Sequence, residues 1–313
     1  MLSIPVFSFP TTVICVDDDK NFLDYLSAGI KTATNFNVKC FYDAEEALEF
    51  LRSYKSSLKD KKFLSSFTEH EYYDTSTHSP VNLDINSVMA LSKEANRHKD
   101  ISILIADYDM PNIDGLELCS QLGSTEFKKI LLTGEVDYER ATNALNHGVI
   151  DCFIPKFDVS TFLPGVRSNV NSLEKRYFNE VTKNLSNHLE VNYSLPLSDP
   201  IFISFFNQLL EENKVQEFYL SDKNGSFLLV DDKGKHSCLV VQTERALDGL
   251  VDLYDDDDNV SSYIKSVKDR KKIPFFGIGK TLEQVNPTQL PGCFFTPKVV
   301  EGRERYYYHV VKL

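Results

Sequence analysis

Short apolar runs that each close on polar residues set the pattern of this chain. Val13-Ile14-Cys15-Val16 ends at Asp17-Asp18-Asp19, and Ile103-Leu104-Ile105 leads through Ala106 to Asp107. Ile130-Leu131-Leu132 leads to Thr133-Gly134, and Cys152-Phe153-Ile154 leads through Pro155 to Lys156. Runs this short and apolar, bounded by turn residues, predict strands buried on both faces. Helical periodicity fills the intervals. The predicted order is strand 12–16, helix 20–33, strand 37–41, helix 44–55, strand 101–106, helix 115–122, strand 129–133, helix 137–147, strand 151–154 and a helix from about 160. That alternation predicts an α/β fold, a doubly wound parallel sheet of five strands with helices on both faces. Such sheets hold their ligands outside the carboxyl ends of the strands. This sequence sends acids, a hydroxyl and an ammonium to that edge. Asp19 is expected to cap the helix that follows it.

Residues 52–100 interrupt the alternation and are expected to be an insertion in the first domain. Its first part, Lys55 to Pro80, is polar and extended in character. Its second places Ile85, Val88, Met89, Ser92 and Ala95 at helical spacing behind a cap at Asp84. The insertion is read as a surface excursion, with a partner-selecting arm as the alternative. From Ser160 to Leu189, apolar positions recur every three or four residues, which predicts one long connector helix with Pro164 in its first turn. Its two readings are packing on its own domains and a dimer seam.

Beyond it the period changes. Asp199-Pro200 opens a helix carrying Ile201, Phe202, Phe205, Phe206, Leu209 and Leu210, then β-like runs at 215–220, 226–230 and 237–242 form a meander with a hairpin turn at Ser221 to Gly225. Helices near 244–254 and 260–270, and a terminal strand pair at 294–300 and 306–311, complete a C-terminal α+β domain with an antiparallel sheet. The expected division is therefore 1–160, 161–192 and 193–313. Tyr306-Tyr307-Tyr308 alternate faces on their strand and are read as core residues.

Composition narrows the function. The chain has 313 residues, about two domains' worth, and a net charge of −12. Residues 190–313 hold 15 Lys and Arg against 19 Asp and Glu, so DNA binding is not expected from charge. No apolar stretch nears the length of a membrane span, the opening Met1 to Pro10 lacks the basic residues of a signal peptide, and six scattered cysteines include no C-x-x-C pair. A cytoplasmic protein with reduced thiols is expected. Asp255 to Asp258 do not alternate as a Ca²⁺ loop does, and are read as a solvated helix end.

Two strands that aim carboxylates at one spot require protonation or a cation, and an all-oxygen set suits Mg²⁺. Asp107-x-x-Met110-Pro111-x-x-Asp114-Gly115, with the acidic pair upstream and Thr133 and Lys156 downstream, resembles the receiver domain of two-component response regulators, the CheY-like family. The resemblance implies a flavodoxin-like fold with Asp107 as phosphoacceptor. It implies Mg²⁺ ligands at Asp17 (mainly through water), Asp18, Asp107 and the backbone carbonyl of Asp109. Thr133 and Lys156 would contact the phosphoryl group, and Phe153 would be the aromatic switch. Asp109 and Glu135 lie two residues beyond acceptor and threonine, where acids bear on phosphoryl lifetime. Pro155 precedes Lys156, whereas the family usually has proline after it. An acceptor displaced beyond residue 100 is also similar to that of a quorum-sensing response regulator.

The resemblance thus implies a sensor histidine kinase or phosphotransfer protein as partner, homodimerisation on phosphorylation, and no enzyme activity beyond the receiver's own aspartyl chemistry. The output domain shows no helix-turn-helix, cyclase, phosphodiesterase or P-loop signature. It is expected to act through protein contacts, with quorum-sensing-type signalling as the suggested setting. The alternatives are an atypical DNA-binding domain and a nucleotide- or ligand-sensing domain.

Overall fold

In a computed structural model, residues 3–33, 35–58, 61, 63–66, 81–134, 138–156, 159–183, 185, 196–254 and 260–313 are described. The chain opens with β1 (Phe7–Ser8), β2 (Thr12–Val16), α1 (Lys20–Ala33), β3 (Asn37–Phe41) and α2 (Ala44–Ser53). The insertion holds β4 (Leu64–Ser66), β5 (Val81–Leu83) and α3 (Ile85–Leu91). Next come β6 (Ile101–Asp107), α4 (Gly115–Leu122), β7 (Lys128–Thr133), α5 (Tyr138–Asn146), β8 (Cys152–Pro155) and α6 (Val159–Val181). The last segment carries α7 (Pro200–Glu212), β9 (Val215–Leu220), β10 (Phe227–Asp231), β11 (His236–Thr243), α8 (Glu244–Tyr254) and α9 (Ser261–Lys268). Strands β12 (Ile273–Pro274), β13 (Phe294–Phe295), β14 (Lys298–Glu301) and β15 (Arg305–Lys312) end the chain.

The chain divides into two compact units. One, Phe9–Lys61 with Glu94–Val181, is built on the parallel sheet in the order β3-β2-β6-β7-β8. Its central strands β6 and β7 are buried at every position, their apolar centres Ile103 to Ala106 and Ile130 to Leu132 flanked by buried polar residues at the strand ends. One face packs on α2, α4 and α5 through Leu48, Leu118 and Ala141. The other packs on α1 and α6 through Leu23, Leu26, Val166 and Val170. Pro164 lies inside α6, not in its first turn as expected. The predicted connector beyond 185, and the Asp255 to Asp258 run, lie outside the described residues.

The second unit joins Met1–Ser8, Lys62–Lys93 and Thr182–Leu313. Its six-stranded antiparallel sheet has the order β1-β9-β10-β11-β15-β14. Asp199 caps α7 by accepting the Ile201 N–H, and Phe202 and Phe206 press onto Tyr306, Phe218 and Phe227. Helices α8 and α9 cover Tyr307 among the residues of a second core, so neighbouring tyrosines of β15 serve different clusters.

The insertion's grouping differs from the expected division. Strand β1 pairs with β9, with Phe7 opposite Tyr219, and α3 packs against β9. The cap at Asp84 forms as expected, but α3 ends at Leu91, before Ser92 and Ala95. The excursion leaves and returns at one point of the parallel-sheet unit. Buried Asp100 accepts from the Tyr54 and Ser56 hydroxyls at 2.9 and 3.1 Å and from the Ser57 N–H at 2.7 Å. Joining the ends this way keeps the closure cost of a long insertion small.

The same unit carries a titratable carboxyl far from the strand tips. Glu174 of α6 faces the Thr11 hydroxyl at 3.5 Å, and burial pushes its carboxyl up to about 8 from an ordinary 4.5. Between those values the folded chain keeps a proton that the unfolded chain gives up, so stability falls as pH rises through that window. Glu174→Gln is expected to match the parent near pH 5 and to exceed it by on the order of 2 kcal/mol at pH 9, the figure being reduced for partial exposure. Urea midpoints at the two pH values check this; equal gaps at both would refute the burial of the carboxyl.

Candidate functional site

The acidic run folds because its own backbone N–H groups need partners. Asp17 Oδ1 accepts the Asp19 N–H at 2.8 Å, and Asp19 in turn accepts from Asn21 and Phe22 at 2.8 and 3.3 Å. Asp19 is thus the helix cap expected of it, leaving Asp17 buried and Asp18 exposed at the tip of β2.

Strand β6 delivers Asp107 as its last residue, 7% exposed. The chain then reverses tightly, with Asn112 at φ 65° and the Gly115 N–H donating to the Tyr108 carbonyl at 3.0 Å. A Cβ on Gly115 would stand 1.9 Å from the Asp107 carbonyl oxygen, so only glycine lets the turn cross the strand end. Asp114 closes the motif by capping α4.

Lys156, just past β8, places its Nζ 2.8 Å from Asp17 Oδ2 and 2.7 Å from Asp107 Oδ1. Burial nonetheless holds the Asp107 carboxyl above its ordinary range. The lysine's hydrogen bond and charge oppose that rise, and nearby Asp17 adds to it. Ligand oxygens of Asp17, Asp18 and Asp107 all lie within 4.8 Å of one another. Three carboxylates against one ammonium leave two negative charges uncompensated. A hard divalent cation such as Mg²⁺ fits that all-oxygen set.

Thr133 ends β7, with its carbonyl accepting the Lys156 N–H at 2.9 Å. Its buried hydroxyl has no hydrogen-bond partner among the described residues, which suits a donor awaiting an oxyanion. Phe153 on β8 is half-buried, edge-on to Tyr138 with ring centroids 5.0 Å apart. Asp109 is exposed in the turn after the acceptor, and Glu135 lies outside the described residues. No peptide bond among the described residues is cis, in keeping with the proline standing before Lys156. Sequence reasoning did not reach Phe22, whose ring lies under the Lys156 ammonium at 4.1 Å from its centroid. The available signal was an aromatic residue three positions after a helix cap.

Residues 81–164 match the family model of the response regulator receiver domain. The chain carries a receiver domain. The match begins at β5, so the insertion separates the acidic pair from the rest of the receiver in sequence, while the sheet sets β2 beside β6. Response regulator ArlR of Staphylococcus saprophyticus is 25% identical over 228 residues, which covers 72% of this chain and 90% of that protein. ArlR of Staphylococcus epidermidis is 27% identical over 112 residues, 36% of this chain and 49% of that one. The solved structure of the Legionella pneumophila response regulator LqsR superposes with a TM-score of 0.78 at 26% identity, covering 100% of this chain and 90% of that chain. Receiver domains bind Mg²⁺ at an acidic pocket, and response regulators work with sensor histidine kinases. Among the described residues no helix is long and apolar enough to cross a membrane.

Proposed function

We infer that this receiver is switched by phosphorylation of Asp107, with a sensor histidine kinase or phosphotransfer protein as donor. The observation that carries the reading is Lys156 held 2.7 Å from Asp107 inside a three-carboxylate cluster. Asp17, Asp18, Asp107 and the Asp109 carbonyl would hold Mg²⁺, which when bound supplies charge neutralisation between carboxylate and phosphoryl oxygens. An Asp107 carboxylate oxygen attacks phosphorus, the donor's nitrogen or oxygen leaves with the bonding pair, and an acyl phosphate forms. Positioning and electrostatics do most of this work because the transition state is loose. Lys156 pairs with the phosphoryl oxygens, the free Thr133 hydroxyl donates to one of them, and Phe153 changes its packing as Thr133 moves. The output is homodimerisation or release of the C-terminal unit for protein contacts, in the cytoplasm. Quorum-sensing-type signalling is the setting suggested by the displaced acceptor.

The test uses the intact chain with acetyl phosphate. One phosphoryl group mapped to Asp107, gained with Mg²⁺ and lost with EDTA, is the expected result. A group mapped elsewhere, or labelling indifferent to EDTA, would reject the reading. Light scattering with Mg²⁺ and beryllofluoride tests the first output: doubled mass identifies dimerisation, and unchanged mass rejects it.

A further inference from the structure

Among the described residues, three groups stand close to the Lys156 ammonium. Two are the carboxylates of Asp17 and Asp107, at 2.8 and 2.7 Å. The third is the face of Phe22, 4.1 Å away at the centroid. A cation over an aromatic face is drawn to the negative side of the ring quadrupole, more strongly where water is partly excluded.

The ring is firmly placed. Phe22 sits in the first turn of α1, its N–H directed at Asp19 Oδ1, the same capping turn that orients Asp17. It packs against the apolar core shared by α1 and α6, with two rings near it, Phe162 of α6 at 5.6 Å between centroids and Tyr25 at 6.5 Å. The two carboxylates have other duties, Asp17 in the cation cluster and Asp107 as acceptor. Each stops being a simple counter-ion once it is engaged. The ring carries no formal charge, binds no hard cation and accepts no phosphoryl group. Its attraction for the ammonium therefore survives through the reaction.

The geometry assigns Phe22 a positioning role: its ring keeps the Lys156 ammonium at the acceptor while Asp17 and Asp107 are occupied. This rests on Asp107 being the phosphoacceptor. It makes Phe22 a part of the phosphorylation machinery that acts only through the lysine.

Phe22→Leu keeps an apolar side chain and removes the π face, and Phe22→Trp keeps the face; Phe22→Met is a second non-aromatic variant should the leucine fold poorly. With Mg²⁺ and acetyl phosphate, Phe22→Leu is expected to slow labelling of Asp107 about fivefold, and Phe22→Trp to stay within about twofold of the parent. In a Lys156→Met background, Phe22→Leu should have no further effect, since the ring then has no cation to hold. A readout independent of metal and turnover is the ring-current shift of the Lys156 ε-methylene protons in the metal-free protein. That upfield shift should vanish in Phe22→Leu and persist in Phe22→Trp. Parent labelling at Asp107 with equal rates for leucine and tryptophan would overturn this role alone. Absence of parent labelling would overturn the acceptor assignment along with it.

Discussion

Asp107→Asn is expected to bring labelling by acetyl phosphate down to background, a loss of more than about a hundredfold, while the protein stays folded. The amide matches the carboxylate in shape but offers no anionic oxygen to phosphorus. Nothing described at the site substitutes for it: Asp17 is tied to Lys156 and to the Asp19 N–H, and Asp18 lies exposed on the other strand tip. The substitution removes a carboxylate that burial already disfavours in its charged form, and Lys156 retains Asp17 as a partner. Its thermal midpoint should therefore equal or exceed that of the parent. Phosphopeptide mapping and a melting curve on the same sample check both halves. Labelling at parent stoichiometry would remove Asp107 from the reaction, whereas a collapsed melting curve would show that the residue is needed for folding.

The second large effect is on stability. Gly115→Ala puts a methyl group 1.9 Å from the Asp107 carbonyl oxygen, 2.8 Å from the adjoining carbonyl carbon and 3.0 Å from Leu131 Cδ1. The two nearest obstacles are backbone atoms of a strand hydrogen-bonded on both sides, so no rotamer change relieves the clash. A cost of about 3 kcal/mol or more is expected, at the upper end for overpacking. Gly249, within α8, is the contrasting position: an added Cβ there meets nothing within 4 Å. Gly249→Ala should stabilise by about 0.5–1 kcal/mol through helix propensity. Urea denaturation of both variants tests the pair. A Gly115→Ala cost below about 0.5 kcal/mol would contradict the tight crossing over Asp107.

The receiver was readable because its information is local. Strands β2, β6, β7 and β8 each carry a short apolar run that stops at or just before the residue bearing the chemistry, as Ile103 to Asp107 shows. The caps at Asp19, Asp84 and Asp199 were readable for the same reason, since a side-chain oxygen satisfies N–H groups only two or three residues on. What was lost on the sequence depends on distant partners. A two-residue strand such as Phe7–Ser8 has no period to detect, and it becomes a strand only because β9 offers an edge. Strands β4 and β5 are three residues each and form a strand pair with one another. The meeting of Phe22 with Lys156 spans most of the receiver sequence, and the aromatic residue after the Asp19 cap does not by itself name its distant partner.

The insertion has a further consequence. The polypeptide passes from one compact unit to the other four times, at 8/9, 61/62, 93/94 and 181/182. Neither is a bead on a string. A gene fragment starting at 182 would lack β1 and the α3 that packs against β9, exposing a strand edge that invites self-association. Recombination that exchanges outputs between regulators by a single splice would leave both products incomplete.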